Sequence, residues 1–480
     1  MKQIFPAIIL LWALCGCFKR VDDFSNLNDY ERSFSTKQKI ALQNKTQLNL
    51  SEARKLALAN NPTLRSAAAA IRSAQYTYFR SLSAWSPEVT AYGEVNHALS
   101  SGHDLHHPPA GVFPDENRFS TSSSIKATWL LFNGLARELD ILVTQLEYDR
   151  SIAAAEDVKR LLLQGIVFAW CDILLASEEI IIYQADKAFQ DAALTQANEQ
   201  FKAGHISYAT VLNFKILSAK AQSRITLSRY QRQTALNALA ALLGYNTAEF
   251  PADIKLQFPE PSPMELHHPL PRYLEEAIRN RPDLKAEKLQ LEKSLRQKQS
   301  AYAAFLPEIH LFADFSFDNA YASYKNYPVK WSYYNQPSFV YGVTGSWNIF
   351  RGFESWNELR RRQALEQIAK WGLNKKFLDV TTEVNDALEN CRNTHKQVAI
   401  FRSMADWVME QRNLIYSEYL NGRETIARVN QAQSELLEAQ SSLILWKIQS
   451  RKAAAQLAAA LGKDAIIADK KSPVESGGNF

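Results

Sequence analysis

The sequence is poor in cysteine and carries little net charge. Only 4 of its 480 residues are cysteine, and Cys171 and Cys391 lie within long helical patterns. Thiols in that setting are expected to be buried apolar groups, and a disulfide or metal site is disfavoured. The formal net charge of +5 is small for this length. It argues against nucleic-acid binding, which requires a concentrated basic patch.

The sequence also lacks a long apolar run beyond its N-terminus. The most apolar later segment, Ile166 to Tyr183, is interrupted by Asp172, Glu178 and Glu179, so a transmembrane helix is not expected there. If the mature chain crosses a membrane, it must do so through strands of a closed barrel.

The N-terminus predicts an export signal. Lys2 is followed by a short apolar run from Ile4 to Leu14, too short to span a bilayer, so residues 1–16 are predicted to be a signal peptide. The run ends in Leu14-Cys15-Gly16-Cys17, which resembles a bacterial lipobox and implies a covalent lipid on Cys17. The alternative is an ordinary secretory signal with two incidental cysteines. Phe18 is not the aspartate that retains lipoproteins in the inner membrane, which favours the outer membrane for a lipid-anchored segment 17–48.

Proline is absent from two windows of similar length, Asp115 to Phe250 and Ser338 to Ser472. An interior proline costs a helix about 3 kcal/mol, so these windows can hold long helices. Gly134 to Gln200 is rich in Ala, Leu, Glu and Gln at helical spacing. It predicts a helix roughly 100 Å long.

The sequence contains an internal repeat of two copies. Five markers recur at offsets of 220 and then 218 residues, which excludes coincidence. The pairs are Asn61-Pro62 with Arg281-Pro282, Pro87-Glu88 with Pro307-Glu308, Trp129 to Gly134 with Trp347 to Gly352, Gly204 with Gly422, and Leu243-Gly244 with Leu461-Gly462. Gly204 and Gly422 are predicted to form sharp turns, each followed by a second helix that ends near the last glycine marker.

Alternating segments precede each long helical window. In the second copy, Glu308 to Asp318 and Ser338 to Phe350 place apolar residues on one face and mainly polar residues on the other. The first copy repeats the pattern more weakly, in Val89 to Val95 and Ile125 to Leu131. About ten alternating residues match a tilted transmembrane strand. The alternative is a half-buried hairpin of a soluble protein.

These doubled markers resemble the TolC-like outer-membrane efflux proteins. The resemblance implies an α+β membrane protein with two tandem repeats, forming a trimeric 12-stranded β-barrel with four strands per chain and a long α-helical periplasmic tunnel. It also implies a homotrimer that works with a periplasmic adaptor protein and an inner-membrane pump. Four strands cannot close a barrel in lipid, which independently favours three chains.

The predicted organisation follows the repeat. Residues 49–244 form the first efflux repeat, 245–270 a proline-rich linker, 271–463 the second repeat and 464–480 a disordered tail. By the resemblance, Gly204 and Gly422 are the periplasmic tip turns. The candidate entrance constriction is Arg428 with Gln431 and Glu424, where relatives often carry carboxylates that favour cations. A ring of Arg428 side chains would reduce that preference, unless Glu424 pairs with Arg428 at i, i+4.

Two other clusters have weaker claims. His103, His106 and His107 fall between two predicted strands, where a polar loop is more typical than a metal site. Three consecutive arginines, 360–362, fan around a helix and predict a solvated or lumen-facing cluster. We find no phosphate loop, nucleophile elbow or carboxylate pair set in a pocket, so we expect no enzyme activity and no cofactor beyond the lipid.

The sequence therefore predicts an outer-membrane channel subunit of a tripartite system that exports small molecules. Two alternatives stay open. One is the outer-membrane component of type I protein secretion, and the other is a soluble, lipid-anchored periplasmic coiled-coil scaffold.

Overall fold

The computed structural model describes residues 47–101, 115–245, 250, 255–257, 268–324 and 331–463. The predicted signal peptide, Cys17, the three clustered histidines and the predicted tail, residues 464–480, lie outside these ranges. The described chain divides into two compact units. The helical unit takes its residues from Met1–Ser66, Val158–Arg281 and Val380–Phe480, and the sheet unit comprises Ala67–Asp157 and Pro282–Asp379.

A series of seven strands and helices occurs twice along the described chain. The first series is β1 (Gln47–Leu48), α1 (Leu50–Asn60), α2 (Pro62–Leu82), β2 (Glu88–Ser101), β3 (Asp115–Phe132), α3 (Ala136–Lys202) and α4 (Tyr208–Leu242). The second is β4 (Lys255–Leu256), α5 (Leu270–Asn280), α6 (Pro282–Ala301), β5 (Glu308–Tyr324), β6 (Trp331–Ser346), α7 (Glu354–Leu420) and α8 (Ile426–Ala460). The long helices α3 and α7 both have 67 residues, and α4 and α8 both have 35.

The helical unit has two apolar cores that occupy equivalent positions in the two copies. Trp170 of α3 packs in the first core with Leu239 of α4 and Ala53 of α1. The second core uses the equivalent Leu388, Leu457 and Tyr273. The large ring thus lies on the long helix in one copy and on the short helix in the other. An exchange of this kind keeps core volume roughly constant, which protein interiors require.

In each copy, the residue that separates the two short helices packs on the C-terminal end of α4 or α8. Asn61 and Arg281 precede prolines and are extended, because a proline disfavours the helical conformation of the residue before it. Asn61 Nδ2 donates to Leu242 O at 2.9 Å, and Arg281 Nη1 donates to Ala460 O at 3.3 Å. Each contact satisfies a carbonyl that the C-terminal turn of α4 or α8 leaves open.

The sheet unit contains one antiparallel sheet in the order β2-β3-β5-β6. The central pair β3 and β5 joins the two copies, with Ile125 opposite Phe315 and Trp129 opposite Leu311. The strands have 14, 18, 17 and 16 residues in chain order. A separate short parallel pair, β1 with β4, lies in the helical unit.

The predicted bounds of the last strand were wrong. The alternating pattern placed it at Ser338 to Phe350, but β6 begins at Trp331 and ends at Ser346. It passes through Pro337, which pairs opposite Phe317. A proline is tolerated here because β6 has a partner on only one side within the chain. Among the described helices, none is long and apolar enough to cross a membrane.

Two glycine substitutions in the first copy test the contact between the end of α1 and the end of α4. Gly244 has φ +84°, and a Cβ there would lie 2.7 Å from Asn60 O. Gly204 has φ +77° but would meet nothing within 4 Å. Gly204→Ala should therefore cost only the left-handed backbone term, about 1–2 kcal/mol, and Gly244→Ala distinctly more. Thermal unfolding followed by circular dichroism measures both. Equal losses would show that the Asn60 contact does not constrain the fold.

Candidate functional site

One face of the four-stranded sheet is apolar and exposed. Residues that pair across the strands fall on the same face, as in the rung Ala91, Ile125, Phe315 and Phe339. The exposed apolar members of this face are Val89, Val95, Ile125, Phe315, Phe339, Tyr341 and Val343, with Tyr341 as much as 74% exposed. This agrees with the alternation expected from sequence. A contiguous apolar surface of this kind marks contact with a membrane or another protein.

The opposite face of the same sheet is mainly polar. One rung consists of Glu94, Ser122, Asp318 and Gln336. Ser122 Oγ donates to Asp318 Oδ1 at 2.5 Å across the boundary between the two copies. A sheet with one apolar and one polar face separates two different environments.

The sheet is open at both edges in the described chain. β2 pairs only with β3, and β6 pairs only with β5. Each outer strand therefore presents backbone N–H and C=O groups without strand partners, a template for pairing with another chain.

A tryptophan fixes the junction between strand and long helix in each copy. Trp129 Nε1 donates to Trp85 O at 2.9 Å, and Trp347 Nε1 donates to Phe305 O at 3.1 Å. The carbonyls belong to short 3₁₀ turns, Ser83–Trp85 and Tyr302–Phe305, that precede β2 and β5. The recurring tryptophan thus holds the first strand of each copy against its second.

The two junctions differ in what covers them. A Cβ on Gly134 would lie 3.0 Å from Ala303 Cα, so the first junction is covered by the 3₁₀ turn of the second copy. The equivalent Gly352 would meet nothing within 4 Å. The glycine of the first junction is therefore covered by the other copy, whereas the glycine of the second junction is not covered within the described chain.

The turns between the paired long helices contain the two glycines that were predicted as tip turns. Gly204 and Gly422 adopt φ +77° and +73°, in turns that end α3 and α7. Gly204 N donates to Phe201 O at 2.9 Å, and Gly422 N donates to Tyr419 O at 3.0 Å. Glycine adopts this left-handed conformation without the penalty that a Cβ brings.

The three candidate entrance residues are only partly brought together. Arg428 Nη1 donates to Gln431 Oε1 at 3.2 Å, and Gln431 Nε2 donates to Glu435 Oε1 at 2.9 Å. Glu424 instead accepts the backbone N–H of Thr425 at 3.2 Å. The i, i+4 pairing considered for Glu424 and Arg428 does not form, because α8 begins at Ile426 with Thr425 as its N-cap. Glu424 therefore lies outside the helix.

The three consecutive arginines do not form a free cationic cluster. Arg361 Nε and Arg362 Nε contact Glu358 at 2.6 and 2.7 Å, and Arg360 lies 5.4 Å from the centroid of the Trp356 ring. Hydrogen bonds from Arg361 and Arg362 lower the pKa of Glu358 to about 2. Glu358 therefore stays ionised and offsets part of the positive charge.

The two described cysteines are free and buried. Burial raises the pKa of both thiols, Cys171 and Cys391, to about 11, so neither is a ready nucleophile. Within the described residues, no group of three His, Cys, Asp or Glu side chains has the arrangement of a metal site.

This architecture has known counterparts. Residues 53–245 and 273–463 match the outer membrane efflux protein family. The chain belongs to this family. The two matched segments correspond to the two series of elements, and they confirm the resemblance seen in the sequence. A comparison with curated proteins finds no match.

Solved structures show that the family fold is that of TolC-like channels. A membrane protein from Pseudomonas aeruginosa is similar at 21% identity and a TM-score of 0.73, over 86% of this chain and 90% of the other. VceC from Vibrio cholerae is similar at 17% identity and 0.73, over 86% and 96%. The CmeC outer membrane channel of Campylobacter jejuni is similar at 14% and 0.73, over 86% and 85%.

Two contacts of this efflux-family chain were not expected from its sequence. Arg137 is only 7% exposed, and its guanidinium carbon lies 3.5 Å from the centroid of the Trp85 ring. Asp186 is buried in the helical unit and accepts from Gln433 Nε2 at 3.0 Å. Each pair joins residues distant in sequence and stands in only one copy, so neither the repeat nor the helical periodicity indicates it.

Proposed function

We propose that the chain is the outer-membrane channel subunit of a tripartite efflux system, a trimeric exit duct for small molecules or drugs. One observation carries this proposal. A sheet with an exposed apolar face continues, through both of its junctions, into helices of 67 residues. A duct that crosses a membrane and then a periplasmic space requires both parts, and it requires no chemistry of its own.

The open sheet edges support a closed assembly of several chains. In lipid, every unpaired backbone group costs several kcal/mol, so β2 and β6 must find partners. Pairing β6 of one chain with β2 of the next satisfies both edges by a single repeated contact. Three chains supply twelve strands to one barrel, and the doubled series of elements then approximates sixfold symmetry for an adaptor.

The contact between the two copies inside the chain provides a template for the contact between chains. Across the copies, Ser300 Oγ of α6 donates to Asp140 Oδ1 of α3 at 3.1 Å. The repeat offsets carry these positions to Arg80 of α2 (300 − 220) and Glu358 of α7 (140 + 218). We therefore place α2 of one subunit beside α7 of the next.

The surfaces involved are apolar and exposed, as this arrangement requires. On α2, Tyr76 is 67% exposed and Phe79 is 50% exposed, and no residue of that helix is buried. On the first part of α7, Ile368 and Trp371 are exposed. Burial of such side chains contributes about 25 cal/mol per Å² removed from water.

A disulfide pair tests this interface. Oxidation of the Arg80→Cys/Glu358→Cys double variant should give covalent trimers on denaturing gels, because the two positions face each other between subunits. The native thiols Cys171 and Cys391 are buried with raised pKa values, so they should not compete. The control pair is Arg80→Cys/Arg402→Cys. Its second position lies 44 residues further along α7 (402 − 358), about 66 Å from Glu358. No covalent trimer should therefore form.

Sizing in detergent and single-channel recording complete the test of the proposal. The purified protein should contain three chains per particle and conduct ions across a bilayer. A monomer that conducts would overturn the trimer, and a trimer that never conducts would favour the scaffold function instead.

The entrance of the duct is proposed to carry positive charge. Arg428 bonds to the neutral amide of Gln431, which leaves the guanidinium charge in place. Threefold repetition of that charge in a narrow passage would repel cations.

Reversal potentials across a salt gradient test this charge. The wild type should show weak cation preference, and Arg428→Asp should shift the reversal potential towards cations because it replaces a positive ring with a negative one. Arg423→Asp makes the same charge change in the exposed turn before α8 and should shift it less. A wild type that is strongly cation-selective, and unaltered by Arg428→Asp, would remove Arg428 from the filter.

The chain is also proposed to be anchored by lipid on Cys17, on the basis of the lipobox-like stretch. Cys17→Ser should abolish incorporation of labelled palmitate, since a hydroxyl does not replace the thiol in lipidation. Conductance of the variant in planar bilayers should be unchanged. Palmitate label that persists in Cys17→Ser would refute the assignment.

A further inference from the structure

A carboxylate is buried in the helical unit without a cationic partner. Asp186 lies on α3 and is only 6% exposed. Its Oδ1 accepts from Gln433 Nε2 of α8 at 3.0 Å and, at the longer distance of 3.4 Å, from Gln190 Nε2. Within the part of the chain that the structure describes, Asp186 has no hydrogen-bond partner besides these two neutral amides and forms no ion pair. A buried charge normally requires a paired charge or a bound ion.

The two glutamines that contact Asp186 each have an oxygen without a partner. A carboxylate accepts a hydrogen bond from an amide nitrogen and cannot accept one from an amide oxygen, so the contact with Asp186 sets the orientation of both amides. Gln190 Oε1 and Gln433 Oε1 are buried and receive no hydrogen bond within the described residues. Because both amide nitrogens bond the same carboxylate oxygen, both amide oxygens are held close to that carboxylate.

Asn430 adds a third amide to this group. It precedes Gln433 by three residues on α8, and Gln190 follows Asp186 by four residues on α3, so each pair shares one helix face. Since α3 runs towards its turn and α8 runs away from its own, Asn430 and Gln190 lie on the same side of the contact between Asp186 and Gln433. Both Oδ1 and Nδ2 of Asn430 are buried without a partner in the described chain.

These side chains supply a set of hard oxygen ligands. The carboxylate offers its second oxygen, Oδ2, and the three amides offer oxygens that accept no hydrogen bond from the described residues. A water molecule has two hydrogens to donate, too few for four acceptors. A cation satisfies all four together, and ligands that are oxygen alone favour hard ions over softer metals. One carboxylate balances one positive charge, which favours a monovalent ion.

Two basic side chains close to this group have other contacts. The guanidinium carbon of Arg412, on α7, lies 5.5 Å from the centroid of the Phe189 ring, and its Nε has no hydrogen-bond partner in the described chain. Lys187 pairs with Asp191 at 2.5 Å. Neither side chain forms an ion pair with Asp186. Arg412 is the nearer alternative as a counterion, and the experiment below separates it from a bound cation.

The equivalent positions of the repeat do not carry this set of ligands. The offset of 218 residues relates the four residues, in chain order, to Met404, Val408, Leu212 and Lys215. None of these side chains contains an oxygen. The repeated fold therefore does not require oxygen ligands at these positions, and burial of four polar groups between α3 and α8 is a cost that the repeat alone does not explain.

We propose that a monovalent alkali cation binds between α3 and α8, and that its ligands are Asp186, Gln190, Asn430 and Gln433. The ion neutralises the buried carboxylate and satisfies the amide oxygens. It thereby joins the long helix of the first copy to the short helix of the second. The site lies within the helical unit of one chain, so the inference does not depend on the proposed trimer. It is separate from the candidate entrance residues, which bond along the surface of α8.

Hydrogen–deuterium exchange measured by mass spectrometry tests the site in the detergent-purified, full-length protein. Exchange is compared in sodium chloride, potassium chloride and N-methyl-D-glucamine chloride at equal ionic strength, because the glucamine cation is too large for a buried site. Peptides that contain residues 186–190 and 430–433 should exchange more slowly in an alkali salt. At an ion concentration of ten times Kd, the exchange rate should fall about tenfold. The salt that protects the peptides identifies the ion as sodium or potassium.

The decisive variant is Asp186→Asn, which removes the charge and retains an oxygen that can accept from Gln433. It should fold and lose the difference between the salts. Asp191→Asn is the matched control, since Asp191 lies on the same helix and pairs with Lys187, and this variant should retain the difference. The double variant Asp186→Met/Gln190→Val introduces the side chains of the second copy and should also lose it.

Either of two results would overturn the inference. One is equal exchange of the wild type in all three salts, and the other is a difference between salts that persists in Asp186→Asn and in the double variant. Equal exchange in the wild type, together with faster exchange of the same peptides in Arg412→Gln, would assign the neutralisation of Asp186 to Arg412. Both results leave the proposed function untouched, because particle size and conductance test it separately.

Discussion

The backbone along the two outer strands sets the constraint on which the architecture depends. β2 and β6 each have a strand partner on one side only, and a long unpaired edge is not stable in lipid. The chain therefore cannot be complete as a single subunit if its apolar face meets a membrane. The bare junction at Gly352, the exposed rings of α2 and the exposed start of α7 all fall where a neighbour would restore what the first copy finds within the chain.

The duplication provides one geometry that serves the contact between the two copies and could also serve a contact between chains. In the chain, the second copy covers the first through Ala303 on Gly134 and Ser300 on Asp140. In the proposed trimer, the next subunit would repeat the same geometry, so the ring would close without a new type of interface. Differences between the copies are then informative, because a residue that departs from its counterpart has been released from the shared structural requirement. Asp186 and Met404 are such a pair.

The repeat, the helix lengths and the sheet faces could be predicted because each follows from a local pattern. Proline-free windows set the helices, alternation set the faces, and recurring glycines set the turns. The bounds of β6 could not be obtained in this way, since Pro337 interrupts the alternation and a proline usually marks the limit of a strand, whereas β6 continues through it to Trp331. The alternative pairing of Glu424 with Arg428 requires Glu424 to be helical, and the sequence did not show that α8 begins only at Ile426. The pairing of Asp186 with Gln433 depends on which helices pack together, and sequence spacing carries no signal for it.

The equal lengths of the corresponding helices limit the insertions and deletions that such a chain can accommodate. Both copies run 67 residues from junction to turn and 35 residues back. A heptad inserted into α3 alone would lengthen that helix by about 10 Å relative to α7, and the two copies would no longer have long helices of equal length. Length is therefore a property that the two halves share. Substitutions in one copy leave this equality intact, whereas an insertion or deletion in one long helix needs a matching change in the other to preserve it.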